Sequence, residues 1–336
     1  MGSARARMRL REALFEDERS EEGGRLGLGS SVTAIAPSGE QFQIVHGEQR
    51  ATIVEVGGGI REYEVAGRPV LDPYPLDAIC DGGHGTPLIP WPNRLKDGRY
   101  SFDGADYRVA LTEPAKANAI HGFLRWWPWR AVEREPDRVV MAVPLHPHPG
   151  YPFALDIRVQ YALSEGGLEV TTTASNLGED ACPYGMGQHP YLSPGTGPID
   201  ACSLQLPAST RIVLEGERGL PVGREPVAGS PYDFRKLRPL GDLRLDTPFT
   251  DLLRDPAGIA TGRLTAPDGG CVELWMDERY GFLQAFTGDG LAEARRRRGL
   301  AVEPMTCSPN AFQSGEGLVR LEPGESLSAR WGVRLR

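Results

Sequence analysis

Long apolar runs are missing from the sequence: no segment approaches the roughly 18 consecutive apolar residues that a membrane-spanning helix needs. The amino terminus also lacks an apolar core followed by a small-residue cleavage site, the pattern of a secretory signal. We therefore expect no membrane partner and a cytoplasmic location.

Cysteine is scarce, with five residues among 336. Their number is odd and no two have C-x-x-C spacing, which argues against a disulfide framework and against a zinc site. We expect five reduced, structural thiols, at Cys80, Cys182, Cys202, Cys271 and Cys307.

An excess of positive charge is also absent. The 37 basic residues are outnumbered by 45 acidic ones, which leaves a net charge of -8. A nucleic-acid partner is not expected, because neutralising phosphates needs a basic surface. The one basic run, ARRRRG at residues 294–299, is predicted to be a solvated loop.

Glycine and proline, in contrast, are abundant, with 42 and 29 residues, and they interrupt the chain too often for a mostly helical protein. Apolar and polar residues alternate in segments separated by turn residues, which is typical of antiparallel hairpins. Hairpins are predicted at residues 155–176, at residues 99–111 around Asp103 and Gly104, at residues 262–276 around Asp268 and Gly269, and at residues 317–336.

Many short antiparallel strands without β-helix-β alternation predict an all-β fold, a large antiparallel β-sandwich. Residues 1–30 are rich in charge and glycine and poor in aromatics, so we expect a flexible extension there. No linker or internal repeat divides the remainder. Residues 31–336 are predicted to form a single catalytic domain.

Two segments in the first half of the chain interrupt the strand pattern with ionisable groups. Residues 118–129, NAIHGFLRWWPW, combine His121 with three of the six tryptophans. A rigid aromatic face beside a group that titrates near neutral pH suits a polyhydroxylated ring. Residues 85–98, GTPLIPWPNRLKDG, are stiffened by prolines and carry Arg94, whose guanidinium can hold a hydroxyl or a carboxylate.

Two further segments lie later in the chain. Residues 182–192, CPYGMGQHPYL, contain His189 after glycines that allow close approach of a ligand. Its ordinary pKa near 6.5 suits an acid or a base. Residues 299–312 place Glu303 at the end of an apolar run, where an unpaired charge would be costly. Glu303 therefore either meets an arginine structurally or works in a site.

The remaining histidines carry weaker signals. His84, in DGGHG, could reach the rim of a cleft but is more often structural. His146 and His148 lie in a proline-rich loop, where their spacing is common by chance, and His46 is predicted to lie on the surface.

The four segments together resemble the aldose 1-epimerases, or galactose mutarotases, from about Thr52 to the carboxyl terminus. The motifs that carry the resemblance are WPNRLKDG, NAIHGFLRW, GQHPYL and AVEP, in that order. The resemblance implies a galactose mutarotase-like supersandwich with an open cleft for a monosaccharide. It also implies no metal and no organic cofactor. The implied reaction is interconversion of the α and β anomers of a free aldose.

The resemblance also assigns roles. Glu303 would be the base that takes the proton of the C1 hydroxyl, and His189 the acid that protonates the ring oxygen. Arg94 and His121 match substrate-positioning residues, and Asp251 in FTDLLRD matches an aspartate that holds sugar hydroxyls. Aromatic residues of the same segments are candidates for lining the cleft, above all Trp127 and Tyr191, with Trp91, Trp126, Trp129 and Tyr184 as further candidates.

The chain departs from the family pattern at two places. The family usually has an aromatic residue soon after the aspartate, whereas Asp251 is followed by LLR. Galactose-type enzymes tend to have Asn before and Ser or Thr after the acid histidine, whereas this chain has Gln188 and Pro190. These departures indicate a divergent bacterial branch and leave the sugar open.

Three alternatives accompany the free-sugar epimerase. A hexose-phosphate epimerase would need further cations in the cleft, such as Arg125. A non-catalytic sugar-binding protein would need neither His189 nor Glu303 as a proton-transfer group. A metal hydrolase would use His84, His121, His189 and Asp251, but these lack paired ligand spacing. A monomer or a homodimer is expected.

Overall fold

The computed structural model describes residues 35–195 and 197–336 of the chain. Ala36–Arg336 form one compact unit, and the extension predicted at residues 1–30 lies outside the described residues. Antiparallel strands make up most of its regular structure, as the all-β prediction required, and the fold class is confirmed. No helix among the described residues has the length and apolarity to cross a bilayer.

The larger of two main sheets has twelve strands and runs in the order β1-β2-β3-β4-β16-β25-β24-β21-β18-β19; in addition, β15 pairs with β25, and β5 pairs with β15. Numbered along the chain, its members are β1 (Gln41–His46), β2 (Gln49–Val54), β3 (Ile60–Val65), β4 (Arg68–Leu71), β5 (Pro87–Leu88), β15 (Gly187–Gln188), β16 (Tyr191–Leu192), β18 (Ala208–Glu215), β19 (Leu220–Pro226), β21 (Asp246–Leu252), β24 (Phe282–Phe286) and β25 (Leu300–Met305).

The second sheet has nine strands in the order β10-β11-β12-β13-β27-β23-β22-β17-β20. They are β10 (Arg130–Glu135), β11 (Arg138–Leu145), β12 (Leu155–Ser164), β13 (Gly167–Asn176), β17 (Ser203–Gln205), β20 (Arg238–Pro239), β22 (Ala260–Thr265), β23 (Cys271–Met276) and β27 (Ser326–Leu335).

Short elements decorate the two sheets. Three two-stranded pairs are β6 (Arg94–Lys96) with β9 (Asn118–Ile120), β7 (Arg99–Phe102) with β8 (Ala105–Arg108), and β14 (Cys182–Tyr184) with β26 (Val319–Leu321). Single helical turns occur at Pro114–Lys116, Leu124–Trp126, Ile199–Ala201 and, as the α-helix α1, at Ala311–Ser314.

Three of the four predicted hairpins are present. β12 and β13 pair along their whole length, from Leu155 opposite Asn176 to Ser164 opposite Gly167. β7 pairs with β8 and β22 with β23, each around the predicted turn. The fourth is wrong: β26 pairs with β14, and β27 lies between β13 and β23. Alternation reveals which residues of a strand face the core, but it does not reveal the neighbouring strand.

The apolar core lies between the two main sheets. In the nine-stranded sheet, Tyr161, Val170 and Trp331 stand side by side and are fully buried. The Tyr161 hydroxyl donates to the Gly58 carbonyl at 2.6 Å, and Gln188 Nε2 of the other sheet lies 3.3 Å from the same hydroxyl. The side chain of Gln188 therefore points into the sandwich.

Strand β25 is buried on both faces, and the face directed away from the main core carries part of the site. Leu300 and Val302 belong to the main core. Because successive side chains of a strand point to opposite faces, Ala301 and Glu303 lie on the other side of the twelve-stranded sheet. That side is covered by loops and short strands, with a cavity between them and the sheet.

Candidate active site

The floor of the cavity is formed by three neighbouring strands. Glu303 of β25 is opposite Gln284 of β24 in the sheet register, and Asp246 of β21 is opposite Phe286 of β24. Gln284 Nε2 donates to Asp246 Oδ1 at 2.5 Å. The alternation of the strands thus carries two carboxyl groups, an amide and an aromatic ring onto one face of the sheet.

His189 stands beside Glu303 in the link between β15 and β16. Its Nε2 lies 3.2 Å from Glu303 Oε1, and both side chains are almost completely buried. Neither His189 Nδ1 nor Glu303 Oε2 has a hydrogen-bond partner among the described residues. Each member of the pair therefore has one buried polar atom without a hydrogen-bond partner among the described residues.

Arg94 and His121 reach the cavity through the short β6–β9 pair, in which Arg94 is opposite Ile120. His121 follows β9 with a φ of 61°, in the left-handed region that is strained for a residue other than glycine. The backbone N–H of Asn93 donates to His121 Nδ1 at 3.0 Å. Because Nδ1 accepts that bond, the neutral imidazole carries its proton on Nε2.

The Arg94 guanidinium is held in a fixed orientation. Its Nε and Nη2 donate to the two carboxylate oxygens of Glu113 at 2.9 and 3.3 Å, and its Nη1 lies 3.7 Å from Asp246 Oδ2. A β-carbon on Gly219 would come within 2.7 Å of Nη1, so the absence of a side chain there lets the backbone lie close to the guanidinium. Arg94 is consequently oriented before any ligand arrives.

These residues surround a cavity of about 540 Å³, within the size range of small-molecule sites. Arg94, His121, His189 and Glu303 all line it, as do Asp246 and Gln284. Phe286 is half-buried and adds an apolar ring to the wall. The rings of His121 and His189 are 5.5 Å apart and nearly perpendicular.

Burial controls the electrostatics of the central groups. It lowers the pKa of His189 to about 3, with additional repulsion from His84 and Arg125. It also lowers the pKa of His121 well below its ordinary value. Burial and the nearby Asp246 raise the pKa of Glu303 well above its ordinary value, although Arg94 opposes this. Both members of the His189–Glu303 pair are thus driven towards their neutral forms.

Tyr191 supports the histidine from behind. Its ring stacks on His189 at a centroid distance of 5.0 Å and on His84 at 3.8 Å. The Tyr191 hydroxyl donates to the Gly82 carbonyl at 2.8 Å. His84 Nε2 in turn lies 3.1 Å from Asp72 Oδ2 and 2.8 Å from Arg295 Nη2. A column of rings that ends in a buried ion pair therefore holds the His189 imidazole.

The basic run at residues 294–299 is not the solvated loop that was expected. The side chains of Arg295 and Arg297 are only 12% and 11% exposed. Arg295 pairs with Asp72, and Arg297 pairs with Asp200 and Asp289. Arg296 and Arg298 are exposed as predicted. The charge pattern of this run does not show that Arg295 and Arg297 pair with aspartates from distant segments, Asp72 and Asp200.

The structure brings four of the seven expected site residues to one cavity, namely Glu303, His189, Arg94 and His121. Tyr191 lies behind the His189 ring and does not line the cavity. Asp251 is exposed and does not line the cavity, and the carboxylate of β21 that does so is Asp246. The two aspartates are five positions apart in the strand, about 16 Å.

Trp127 and the other tryptophans also require a correction. Trp127 is half-buried and packs against the main core, Trp91 and Trp129 are buried in that core, and Trp126 is 52% exposed. Within the described residues, no tryptophan lines the cavity. Tyr184 is likewise fully buried in the core. The aromatic cluster of residues 118–129 anchors the loop that carries His121, and the ring available to a ligand is Phe286.

Sequence reasoning missed Gln284 and Asn93, which line the cavity, and Glu113, which holds Arg94. Gln284 lies in an apolar strand, FLQAF, whose one polar side chain faces the cavity. Asn93 and Glu113 hold other site residues and become visible only through their contacts. A polar residue in an otherwise apolar strand was the available clue to Gln284.

The chemistry of the donors bears on metal binding. Ligand atoms of His121, His189 and Glu303 lie within 4.8 Å of one another. His121, however, has Nδ1 occupied by the Asn93 N–H and its proton on Nε2, so it has no lone pair to offer a cation. The other residues of the hydrolase alternative are apart from this trio, His84 in the buried ion-pair network and Asp251 on the surface.

Comparisons with known proteins agree with this fold. The family model for aldose 1-epimerase matches residues 40–334. The Escherichia coli protein YihR, itself uncharacterized, is 33% identical over 88% of this chain and 92% of its own length. A galactose mutarotase-like protein from Clostridium acetobutylicum superposes with a TM-score of 0.77 at 19% identity, over 88% of this chain and 94% of that one. The GalM/aldose epimerase homologue from C. elegans gives a TM-score of 0.77 at 18% identity, over 88% and 98% of the two chains. The chain belongs to the aldose 1-epimerase family.

Proposed function

We propose that this member of the aldose 1-epimerase family interconverts the α and β anomers of an aldose by acid-base ring opening, without a cofactor. The observation that carries the proposal is the contact of His189 with Glu303, two buried titratable groups at 3.2 Å in a cavity of sugar size. Paired groups of this kind are suited to moving a proton between two oxygens of one ligand.

The reaction would proceed as follows. Glu303 as the carboxylate removes the proton of the C1 hydroxyl, while His189 as the imidazolium gives a proton to the ring oxygen O5. The C1–O5 bond breaks, and the electrons of the former O1–H bond form the C1 carbonyl of the open-chain aldehyde. Rotation about C1–C2 presents the other carbonyl face, and reclosure returns both protons by the reverse transfers.

The surrounding groups would hold the ring in the reactive geometry. His121 offers its Nε2–H as a donor, and Arg94 offers an oriented cation to oxygens that become negative during proton transfer. Asp246 and Gln284 offer an acceptor and further polar atoms for ring hydroxyls. Phe286 supplies an apolar surface for the C–H face of the ring.

A purely sugar-binding protein is the main competing interpretation. Burying an acid and a base in contact, with the pKa of each displaced, costs stability that binding alone does not need. The pair therefore favours the enzyme.

The proposal is tested by following freshly dissolved α-glucose and α-galactose to anomeric equilibrium, by polarimetry or from the NMR signal of the anomeric proton. We expect the protein to accelerate relaxation of at least one aldose. We expect Glu303→Gln and His189→Asn to lower the catalysed rate by at least about a hundredfold, since general acid-base groups contribute that much.

His46→Asn is the matched control, because His46 is 38% exposed and lies away from the cavity. It should retain the full rate. Folding of each variant is checked by circular dichroism and thermal unfolding. The catalytic assignment fails if no aldose of a broad panel is accelerated, or if both site variants keep the wild-type rate.

A further inference from the structure

Arg125 is a cation of the cavity wall that lacks an anionic partner among the described residues, and its guanidinium lies 5.6 Å from the centroid of the Trp126 ring. It lies in the helical turn Leu124–Trp126, and its side chain lines the cavity. Its one hydrogen bond within the described chain is a long one, from Nη2 to the Ile120 carbonyl at 3.4 Å. No carboxylate of the described residues lies within 4.0 Å of its guanidinium.

The other cations of the wall are paired. Arg94 binds Glu113 at 2.9 Å, Lys116 lies 3.1 Å from the same carboxylate, and Arg244 lies 3.7 Å from Asp289. Among the cations that line the cavity in the described residues, Arg125 is thus the exception.

Removing an unpaired cation from water is unfavourable, and burial accordingly lowers the pKa of Arg125. A sugar hydroxyl offers only a dipole in compensation. An anion offers charge-assisted hydrogen bonds, for which a guanidinium has a matching planar fork. The environment of Arg125 therefore suits a negatively charged group better than a neutral one.

The position of Arg125 is well defined. A β-carbon on Gly57 would lie 2.5 Å from the Arg125 carbonyl, and the Gly57 N–H donates to the Trp127 carbonyl at 2.8 Å. The loop after β2 thus clamps the turn on both sides of Trp126. Because Nη2 contacts the carbonyl of Ile120, the residue before His121, the guanidinium lies beside the loop that carries His121.

We propose that Arg125 forms a subsite for an anionic substituent carried by the sugar, a phosphate, a sulfate or a carboxylate. The inference rests on the proposed function and specifies its substrate class: a negatively charged monosaccharide is preferred to the neutral sugar. The three anions share the same recognition chemistry at Arg125, and the choice among them is left to the arms of the experiment.

The test compares anomer relaxation of glucose with that of glucose 6-phosphate, glucose 6-sulfate and glucuronate. For the wild type we expect kcat/KM to be at least about tenfold higher for one anionic sugar than for glucose. Arg125→Gln should lower kcat/KM for that sugar at least about tenfold more than it lowers kcat/KM for glucose. Arg125→Lys keeps the positive charge but lacks the planar guanidinium, so its kcat/KM for that sugar should lie between the values of the wild type and Arg125→Gln.

Arg130→Gln is the matched control, an exposed arginine five positions along the chain that does not line the cavity. It should leave every kcat/KM value unchanged. A wild type that prefers glucose, or an Arg125→Gln variant that lowers all substrates by one common factor, would overturn the inference and leave the epimerase intact.

Binding of the same sugars, measured by isothermal titration, separates the inference from the proposed function. If no sugar is accelerated, the proposed function fails. Binding of an anionic sugar that is lost in Arg125→Gln would still support the subsite, and equal binding by the two proteins would overturn it.

Discussion

At the scale of single residues, the contact between His189 and Glu303 determines how the site holds protons. Burial lowers the pKa of the imidazole and raises that of the carboxyl. Over a wide pH interval the pair therefore holds one shared proton, on Glu303 or on His189, and the pKa values belong to the pair. In the proposed ring opening, Glu303 would take up one proton and His189 would release one, so the pair would hold one proton before and after the step.

This arrangement predicts the pH dependence of kcat/KM. A solvated histidine acid would lose its proton, and with it the activity, as the pH rises through about 6.5. Here a second proton joins the pair only when His189 is protonated beside neutral Glu303, and the pKa of that histidine is lowered to about 3. We expect no fall in kcat/KM as the pH is lowered from about 7 to about 5. At higher pH, activity is lost when the pair releases its shared proton.

The profile is measured by polarimetry at constant ionic strength, with the spontaneous rate subtracted at each pH. A fall in kcat/KM between about pH 7 and about pH 5 would show that the pair takes up a second proton in this range, contrary to the lowered pKa of His189.

Tyr191 is a positioning residue in this structure, because its ring faces His189 and its hydroxyl faces the Gly82 carbonyl. Tyr191→Leu should lower kcat by about ten- to a hundredfold with a smaller effect on KM, since small displacements of a catalytic group have effects of this size. Tyr191→Phe keeps the ring and should remain within about threefold of the wild type. If Tyr191→Phe instead raised KM strongly with kcat unchanged, the hydroxyl would be a sugar ligand.

At the scale of elements, strand β21 carries two aspartates with different environments. Asp246 bonds to Gln284 and faces Arg94, whereas Asp251 is exposed near the other end of the strand. Asp246→Asn should raise KM by at least about tenfold, because a charged partner of sugar hydroxyls becomes neutral. Asp251→Asn is the matched substitution in the same strand and should leave kcat and KM within about twofold. If steady-state kinetics instead showed a raised KM for Asp251→Asn and unchanged values for Asp246→Asn, Asp251 would be the sugar-binding aspartate.

How far the sequence could predict each element depends on the range of its interactions. The hairpin β12–β13 is local, so alternation and a turn were sufficient to identify it. Strand β27 has both of its neighbours from distant segments, and its pairing was not readable from the residues around it. The same distinction explains Arg295, whose acidic partner Asp72 is far away in sequence.

The candidate site follows the same rule. Glu303, His189, Arg94 and His121 lie in segments with a distinctive composition, and these four share the cavity. The choice between Asp246 and Asp251 depended on which end of β21 faces Arg94, a tertiary fact. Large aromatic side chains were a misleading guide, because packing of the His121 loop against the core uses the same residue type as stacking on a sugar.

At the scale of the whole unit Ala36–Arg336, the reactivity of the cysteines can show whether the unit unfolds cooperatively. All five are unpaired; Cys80, Cys182, Cys202 and Cys307 are buried, and Cys271 is half-buried. Burial raises the pKa of Cys80 and Cys307 to about 12 and that of Cys182 to about 11. Because only the thiolate reacts with disulfide reagents, these buried thiols are protected by both access and ionisation.

The four buried thiols lie in separate parts of one continuous fold, from the loop before β5 to the link after β25. If the sandwich unfolds as one cooperative unit, they become reactive only in the unfolded state and with a common dependence on denaturant. We expect one thiol to react rapidly in native buffer, and Cys271→Ser to abolish that phase. The other four should then be labelled together in pulsed experiments across a urea series, as resolved by mass spectrometry. Early labelling of Cys80 alone would mean that the loop beside His189 opens locally without global unfolding, and the cooperative description would have to exclude that loop.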